Sequence, residues 1–173
     1  GNLVSYSTGT GPRRVLIADF NADNKLDLVT VNQTGNNITL KTGLGDGTFP
    51  AGASQNLSLG NGATGPSDLA MGDFNGDNKP DVVAANNGAN TLTVFLNKGD
   101  GTGGLNVGVS LNTASGLSGV AVGDFDRDKR QDLIVGHVSD AKVGVLLGNG
   151  DGTFKARIDT PGLSSGSVTV GDA

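Results

Sequence analysis

The sequence has no cysteine, no tryptophan and no glutamate, and it holds one tyrosine and one histidine. Without cysteine there is no disulfide scaffold, no thiolate zinc site and no thiol nucleophile. The single histidine, His137, has no cysteine to pair with and no evident positioned nucleophile, so no triad is expected. It reads instead as a polar strand end. No apolar run approaches the ~20 residues of a membrane helix, so no membrane insertion is expected. The 12 basic residues are scattered, which argues against a nucleic-acid partner. No stretch shows a sustained helical period, and the glycines fall in turns rather than in a phosphate-binding loop. No signal peptide opens the chain, so the expectation is a processed chain or a piece of a larger protein.

What the chain has in abundance is glycine, 30 of 173 residues, together with asparagine, threonine and serine. That mixture suits many short strands joined by tight turns. All 17 acidic residues are aspartate, and ten fall in three nine-residue segments, 19–27, 73–81 and 124–132. A solvated acidic face would normally include glutamate. Short carboxylates at alternate positions are what a hard cation requires.

These segments belong to a repeat. VLIADFNADNKLDLVTVN begins at Val15, LAMGDFNGDNKPDVVAAN at Leu69 and VAVGDFDRDKRQDLIVGH at Val120. A further start, VTVGDA, begins at Val168. The leading aspartates Asp19, Asp73, Asp124 and Asp172 are spaced 54, 51 and 48 residues apart. A second signature runs in phase: LGDGTF, KGDGTG and NGDGTF, around Asp46, Asp100 and Asp151. Each unit reads as four strands. In the second unit these are Asp68–Gly72, Asp81–Asn86, Thr91–Asn97 and Leu105–Leu111, with Asp100-Gly101 expected to make a tight hairpin between the last two. Four short antiparallel strands per unit is the pattern of a propeller blade. The predicted fold is therefore all-β, a β-propeller segment of three whole blades, roughly 13–59, 67–112 and 118–160, with one further strand at each end, 1–9 and 167–173.

The loops DFNADNKLD, DFNGDNKPD and DFDRDKRQD place oxygen-bearing side chains at positions 1, 3, 5 and 9. The candidate ligands are Asp19, Asn21, Asp23 and Asp27; Asp73, Asn75, Asp77 and Asp81; and Asp124, Asp126, Asp128 and Asp132. The main-chain carbonyl at position 7, of Lys25, Lys79 or Arg130, is a further candidate. Calcium takes about 6–8 oxygens, which such a loop supplies with water, whereas magnesium demands stricter geometry. Three divalent ions would move the formal charge from -5 to about +1. An EF-hand shares the spacing but needs a bidentate glutamate at position 12, held here by Thr30, Ala84 or Val135, and a helix where these loops run into LVTV, VVAA and LIVG. No extra converging groups recur beside the loops, so the metal is expected to be structural and no catalytic residue is assigned. Phe20, Phe74, Phe125, Phe49 and Phe154 recur at fixed repeat positions, which reads as blade packing.

The three DFNxDxxxDLV-like stretches and the three GDGT turns resemble the FG-GAP/VCBS repeats, the calcium-binding blades of integrin-α-type propellers and of many secreted bacterial proteins. The resemblance covers essentially the whole chain. It implies a propeller, commonly of about seven blades, with calcium in the loop between the first two strands of each blade. The sequence departs from the family at position 6, where glycine is usual and Asn24, Asn78 and Lys129 stand. Asparagine accepts a left-handed backbone more readily than lysine, so the third loop carries the least favourable residue at this position, although its four carboxylates make it the richest in charge.

The resulting expectation is a non-enzymatic, calcium-stabilised module, extracellular, secreted or at a cell surface, with about three bound ions, serving adhesion, scaffolding or protein interaction. Its ring would be completed by blades from flanking sequence or from another chain, and its ligand would be a protein or a glycan. Lectin-type carbohydrate binding, or service as an accessory module of a larger secreted polysaccharide-active enzyme, are the alternative readings. Asn32, Asn37 and Asn56 fit the glycan-acceptor pattern.

Overall fold

The computed structural model describes residues 4–52, 54–60, 62–139 and 141–161. They form twelve strands in three four-stranded antiparallel sheets. The first sheet runs β1 (Pro12–Ala18), β2 (Asp27–Asn32), β3 (Asn37–Lys41) and β4 (Ser54–Ser58). The second runs β5 (Pro66–Gly72), β6 (Asp81–Asn86), β7 (Thr91–Asn97) and β8 (Leu105–Asn112). The third runs β9 (Leu117–Gly123), β10 (Asp132–His137), β11 (Lys142–Leu146) and β12 (Ile158–Pro161). Strands pair in sequence order within each sheet, as in propeller blades, and no closed ring forms among the described residues. No helix there is long and apolar enough to cross a membrane.

The central strands are enclosed on both faces, which is why β6 reads DVVAAN with all six residues buried. The outer strand β4, SQNLS, alternates between exposed and half-buried residues. Val29, Val31, Ile38 and Leu40 of the first blade pack on Leu69, Val82, Ala84 and Phe95 of the second. The opposite face of the second blade, with Val83, Ala85, Leu92 and Val94, packs on Leu117, Val120, Leu133 and Val135 of the third. The innermost strands are joined across all three blades by Asp68. Its Oδ1 lies 2.9 Å from Arg14 Nε, and its Oδ2 accepts the Val120 N–H at 3.2 Å.

Two expectations change. Residues 4–9 do not enter a strand ladder. They lie on the first blade, where the Gly9 N–H donates to Thr39 Oγ1 at 3.1 Å and Tyr6 meets Phe49 edge-on at 5.2 Å. A strand needs a partner edge, and the preceding blade on which this one is expected to pair is not among the described residues. Likewise, Asp100-Gly101 is not a two-residue hairpin. The turn spans 98–104, closed by the Lys98 N–H on the Gly104 carbonyl at 2.8 Å, with positive φ at Gly99, Gly101 and Gly103. The expected strand at 167–173 lies outside the described residues.

Candidate metal centre

Each aspartate loop joins the first two strands of its blade, at 19–27, 73–81 and 124–132, and the three curl alike. The position-1 carboxylate sits at the centre and gathers amide N–H groups from across the loop. Asp19 Oδ1 accepts from Asp23 at 3.2 Å and Oδ2 from Asn24 at 2.7 Å. Asp73 accepts from Gly76, Asp77 and Asn78 at 2.7, 3.1 and 2.8 Å. Asp124 accepts from Asp128 and Lys129 at 3.1 and 3.0 Å. The position-3 side chains Asn21, Asn75 and Asp126 each accept the position-5 N–H through Oδ1, at 3.1, 3.1 and 3.2 Å. The position-5 carboxylates Asp23, Asp77 and Asp128 accept the position-7 N–H at 2.9, 3.0 and 2.9 Å.

The curl needs left-handed backbone at position 6, and all three loops adopt it: Asn24 has φ 62°, Asn78 61° and Lys129 69°. Lysine takes the same conformation in the third loop as asparagine does in the other two. Four amide–carboxylate bonds across the loop hold Lys129 in a conformation that lysine alone disfavours. Position 4 is also left-handed, at Ala22, Gly76 and Arg127. The mixed residue types there gave no signal of it.

Positions 1, 3 and 5 converge on one space. In the third loop one oxygen each of Asp124, Asp126 and Asp128 lies within 4.8 Å of the others. Oxygens at about 2.3–2.6 Å from a shared calcium stand at most about 5 Å apart, so the spacing fits that ion. The position-7 side chains turn back on the position-5 carboxylates: Lys25 Nζ is 3.5 Å from Asp23, Lys79 Nζ 3.4 Å from Asp77 and Arg130 Nη1 3.5 Å from Asp128. Sequence reasoning considered only the carbonyls of these residues.

Position 9 has a second role. Asp27, Asp81 and Asp132 are fully buried, and both oxygens of each accept main-chain N–H groups. One oxygen takes the phenylalanine at position 2: Phe20, Phe74 or Phe125, at 2.9, 2.9 and 2.8 Å. The other takes Gly43, Asn97 or Gly148 at the end of the third strand, at 2.9, 2.8 and 2.8 Å. These carboxylates therefore clamp the loop to its sheet, and a carboxylate keeps lone pairs for further partners. Burial pushes the Asp27 and Asp81 carboxyls above the ordinary range despite the two amide donors, and the neighbouring loop aspartates add to the rise. Gly43 and Gly148 are glycine for a steric reason: a Cβ there would strike the Leu26 or Gln131 carbonyl.

The loops also meet the next blade. Asn97 Nδ2 of the second blade donates to the Phe20 carbonyl at 2.9 Å, and the Gly152 N–H of the third blade donates to the Phe74 carbonyl at 2.8 Å. The GDGT turns, one of which supplies the Gly152 contact, are held by Asp46, Asp100 and Asp151. Each accepts both the N–H and the hydroxyl of the threonine two residues on, at 2.9 and 2.5–2.6 Å. Those threonine bonds hold the three carboxyls below their ordinary range.

The model of the FG-GAP-like repeat matches this chain twice, over residues 19–84 and 73–135, each match starting at the first aspartate of a loop and ending inside the next blade. The chain belongs to the FG-GAP-like repeat family. Solved structures share the fold at low identity. A Bacteroides fragilis protein provisionally named a 6-phosphogluconolactonase aligns with a TM-score of 0.70 at 18% identity, over 95% of this chain and 43% of its own. Hydrazine synthase of Kuenenia stuttgartiensis aligns with a TM-score of 0.60 at 12% identity, over 96% of this chain and 40% of its own. The FG-GAP-like chain thus spans less than half of either, and at such identities the likeness carries the fold alone. No curated sequence matches it.

The remaining candidates fall into structural roles. The three possible glycan acceptors tie the first sheet together: Asn32 Nδ2 donates to Asn37 Oδ1 and Thr39 Oγ1 at 2.7 and 2.8 Å, and Thr39 Oγ1 donates to Asn56 Oδ1 at 2.7 Å. His137, fully buried at the place of Asn32 and Asn86, has Nε2 3.1 Å from Arg157 Nη1. Arg157 in turn forks onto Asp159, at 2.7 and 3.0 Å.

Proposed function

We propose that each of the three loops binds one calcium ion and that the ions act as structural staples in a non-catalytic, extracellular interaction module. The observation that carries this reading is the threefold recurrence of one hydrogen-bonded curl that gathers the oxygens of positions 1, 3 and 5. Asp19, Asn21 and Asp23, then Asp73, Asn75 and Asp77, then Asp124, Asp126 and Asp128 would hold the ions, with Asp27, Asp81 and Asp132 fixing each loop to its sheet. Bound calcium supplies positive charge at the point where these carboxylates repel one another. The GDGT turns and the surfaces around them present the module to its partner. Secretion or surface display accords with the millimolar affinities of extracellular calcium modules.

The reading includes a ring completed by further blades, from flanking sequence or from another chain. Val15 on the first blade and Phe125 on the third are exposed where the inner interfaces bury their counterparts, Leu69 and Val120 for Val15 and Phe20 and Phe74 for Phe125. A melting curve tests the metal assignment. At about ten times the dissociation constant, mass action adds about 1.4 kcal/mol per site, or about 4 kcal/mol for three independent sites. Calcium should therefore raise the melting temperature by several degrees over EDTA; superimposable curves would remove the assignment.

A further inference from the structure

Three Asn-Gly pairs lie wholly within the described residues: Asn75-Gly76, Asn87-Gly88 and Asn149-Gly150. Glycine leaves the following nitrogen unshielded, so such a pair can close a cyclic imide that other pairs close slowly. The three differ in what holds the amide. Asn87 donates through Nδ2 to the Leu117 carbonyl, and Asn149 donates through Nδ2 to Thr153 Oγ1 at 2.9 Å. In both, the nitrogen that would leave is tied down. Asn75 is held by the other end of its amide. Its Oδ1 accepts the Asp77 N–H at 3.1 Å, which polarises Cγ, and the Gly76 N–H donates to Asp73 Oδ1 at 2.7 Å, beside a base able to take its proton. The first loop has the same carbonyl contact at Asn21 but follows it with Ala22, and the third loop already has Asp126.

We propose that Asn75 is a deamidation site, and that its reaction gives the second loop the all-carboxylate set that the third loop carries in Asp124, Asp126, Asp128 and Asp132. The Gly76 nitrogen bonds to Asn75 Cγ and passes its proton to the Asp73 carboxylate. The Cγ–Nδ2 bond breaks, and the amide nitrogen departs as ammonia with that proton. One water then opens the imide. Opening at Cγ leaves a side-chain carboxylate on an unaltered backbone, and opening at the main-chain carbonyl leaves isoaspartate. The loop gains one negative charge either way. The consequence for cation affinity rests on the calcium reading above; the deamidation does not. A cation held by the Asp73 carboxylate competes for the base that takes the Gly76 proton and slows the reaction.

The test is to age the full chain in metal-free buffer and map acidic forms by ion exchange and peptide mass spectrometry. Asn75 should convert at least about tenfold faster than Asn87 or Asn149, a threshold below the about 10²–10⁴-fold that a positioned base contributes. Gly76→Ala should lower conversion at position 75 by about tenfold or more. It should still fold, because Ala22 holds the same left-handed place in the first loop, at φ 61°. Equal conversion at Asn87 or Asn149, or an undiminished rate in Gly76→Ala, overturns the proposal. A parallel calorimetric titration with calcium chloride separates the two readings. A chain that takes no calcium yet reacts first at Asn75 loses the metal assignment and keeps the deamidation site. A chain that binds calcium without reacting first at Asn75 does the reverse.

Discussion

Phe74 and Phe125 hold the same place in successive loops and meet opposite surroundings. Phe74 is 2% exposed, seated between two blades with the Phe154 ring 5.7 Å away, edge-on, and its carbonyl on the Gly152 N–H. Phe125 is 40% exposed and has no such neighbour among the described residues. Yet the N–H groups of both donate to the position-9 aspartate at nearly the same length, and the loops behind them curl alike. The loop is therefore built by its own blade, whereas the aromatic beside it belongs to the joint with the next one.

The comparison breaks most readily at Phe74. Truncation to alanine there should cost about 3–5 kcal/mol, and Phe125→Ala under about 1 kcal/mol. Equal shifts of the urea midpoint would show that the exposed ring packs in solution. Next in size, Asp81→Ala strands the buried N–H groups of Phe74 and Asn97, at about 1–3 kcal/mol each. Calcium should recover little of that loss if the clamp to the sheet is the main role of position 9. Asn97→Gly, which installs what the first and third blades carry as Gly43 and Gly148, loosens the joint between the first two blades together with the in-blade bonds to the Pro80 carbonyl and the Gly99 N–H. It removes the bond to the Phe20 carbonyl and should cost about 1 kcal/mol, read from the same denaturation curves.

The smallest effect sharpens the contrast between the third blade and the others. His137 replaces Asn32 and Asn86. Burial and the Arg157 guanidinium hold it below its ordinary value, and Asp159 and the carbonyls of Ser115 and Ala114 offset this only in part. Lys142, opposite His137 in the ladder, also reaches toward Asp159, at 3.9 Å. The folded blade thus prefers the neutral ring. Its contribution is complete above about pH 6.5, the ordinary histidine value, and is lost as pH falls toward the depressed one. The melting temperature should drop on acidification to about pH 5.5, a point below that value, and His137→Asn should flatten the drop. A variant that falls as steeply as the parent would place the pH sensitivity elsewhere.

Much of this was legible in the repeat. Asp81–Asn86 and Thr91–Asn97 are strands with the bounds that periodicity gave. The in-phase aspartates located the loops because a metal-type curl ties residue identity to position. Contacts between blades were not legible. Nothing in one unit says that Asn97 reaches the Phe20 carbonyl, seventy-seven residues away. The clamp at position 9 was hidden because a buried carboxylate on two amides and a metal ligand ask for the same residue. Its one signal was glycine at 43 and 148, sixteen residues after Asp27 and Asp132. Residues 4–9 resemble the outer strand of a preceding blade, but a strand takes its identity from a partner edge, and Tyr6 packs on Phe49 instead.

Calcium titration of the metal-free chain, followed by calorimetry, tests the central claim most directly. The account predicts three ions per chain, falling to two in Asp77→Ala, because the second loop loses its position-5 carboxylate, the one that accepts the Lys79 N–H. The absence of binding heat in the parent chain, or an unchanged stoichiometry in the variant, would contradict it.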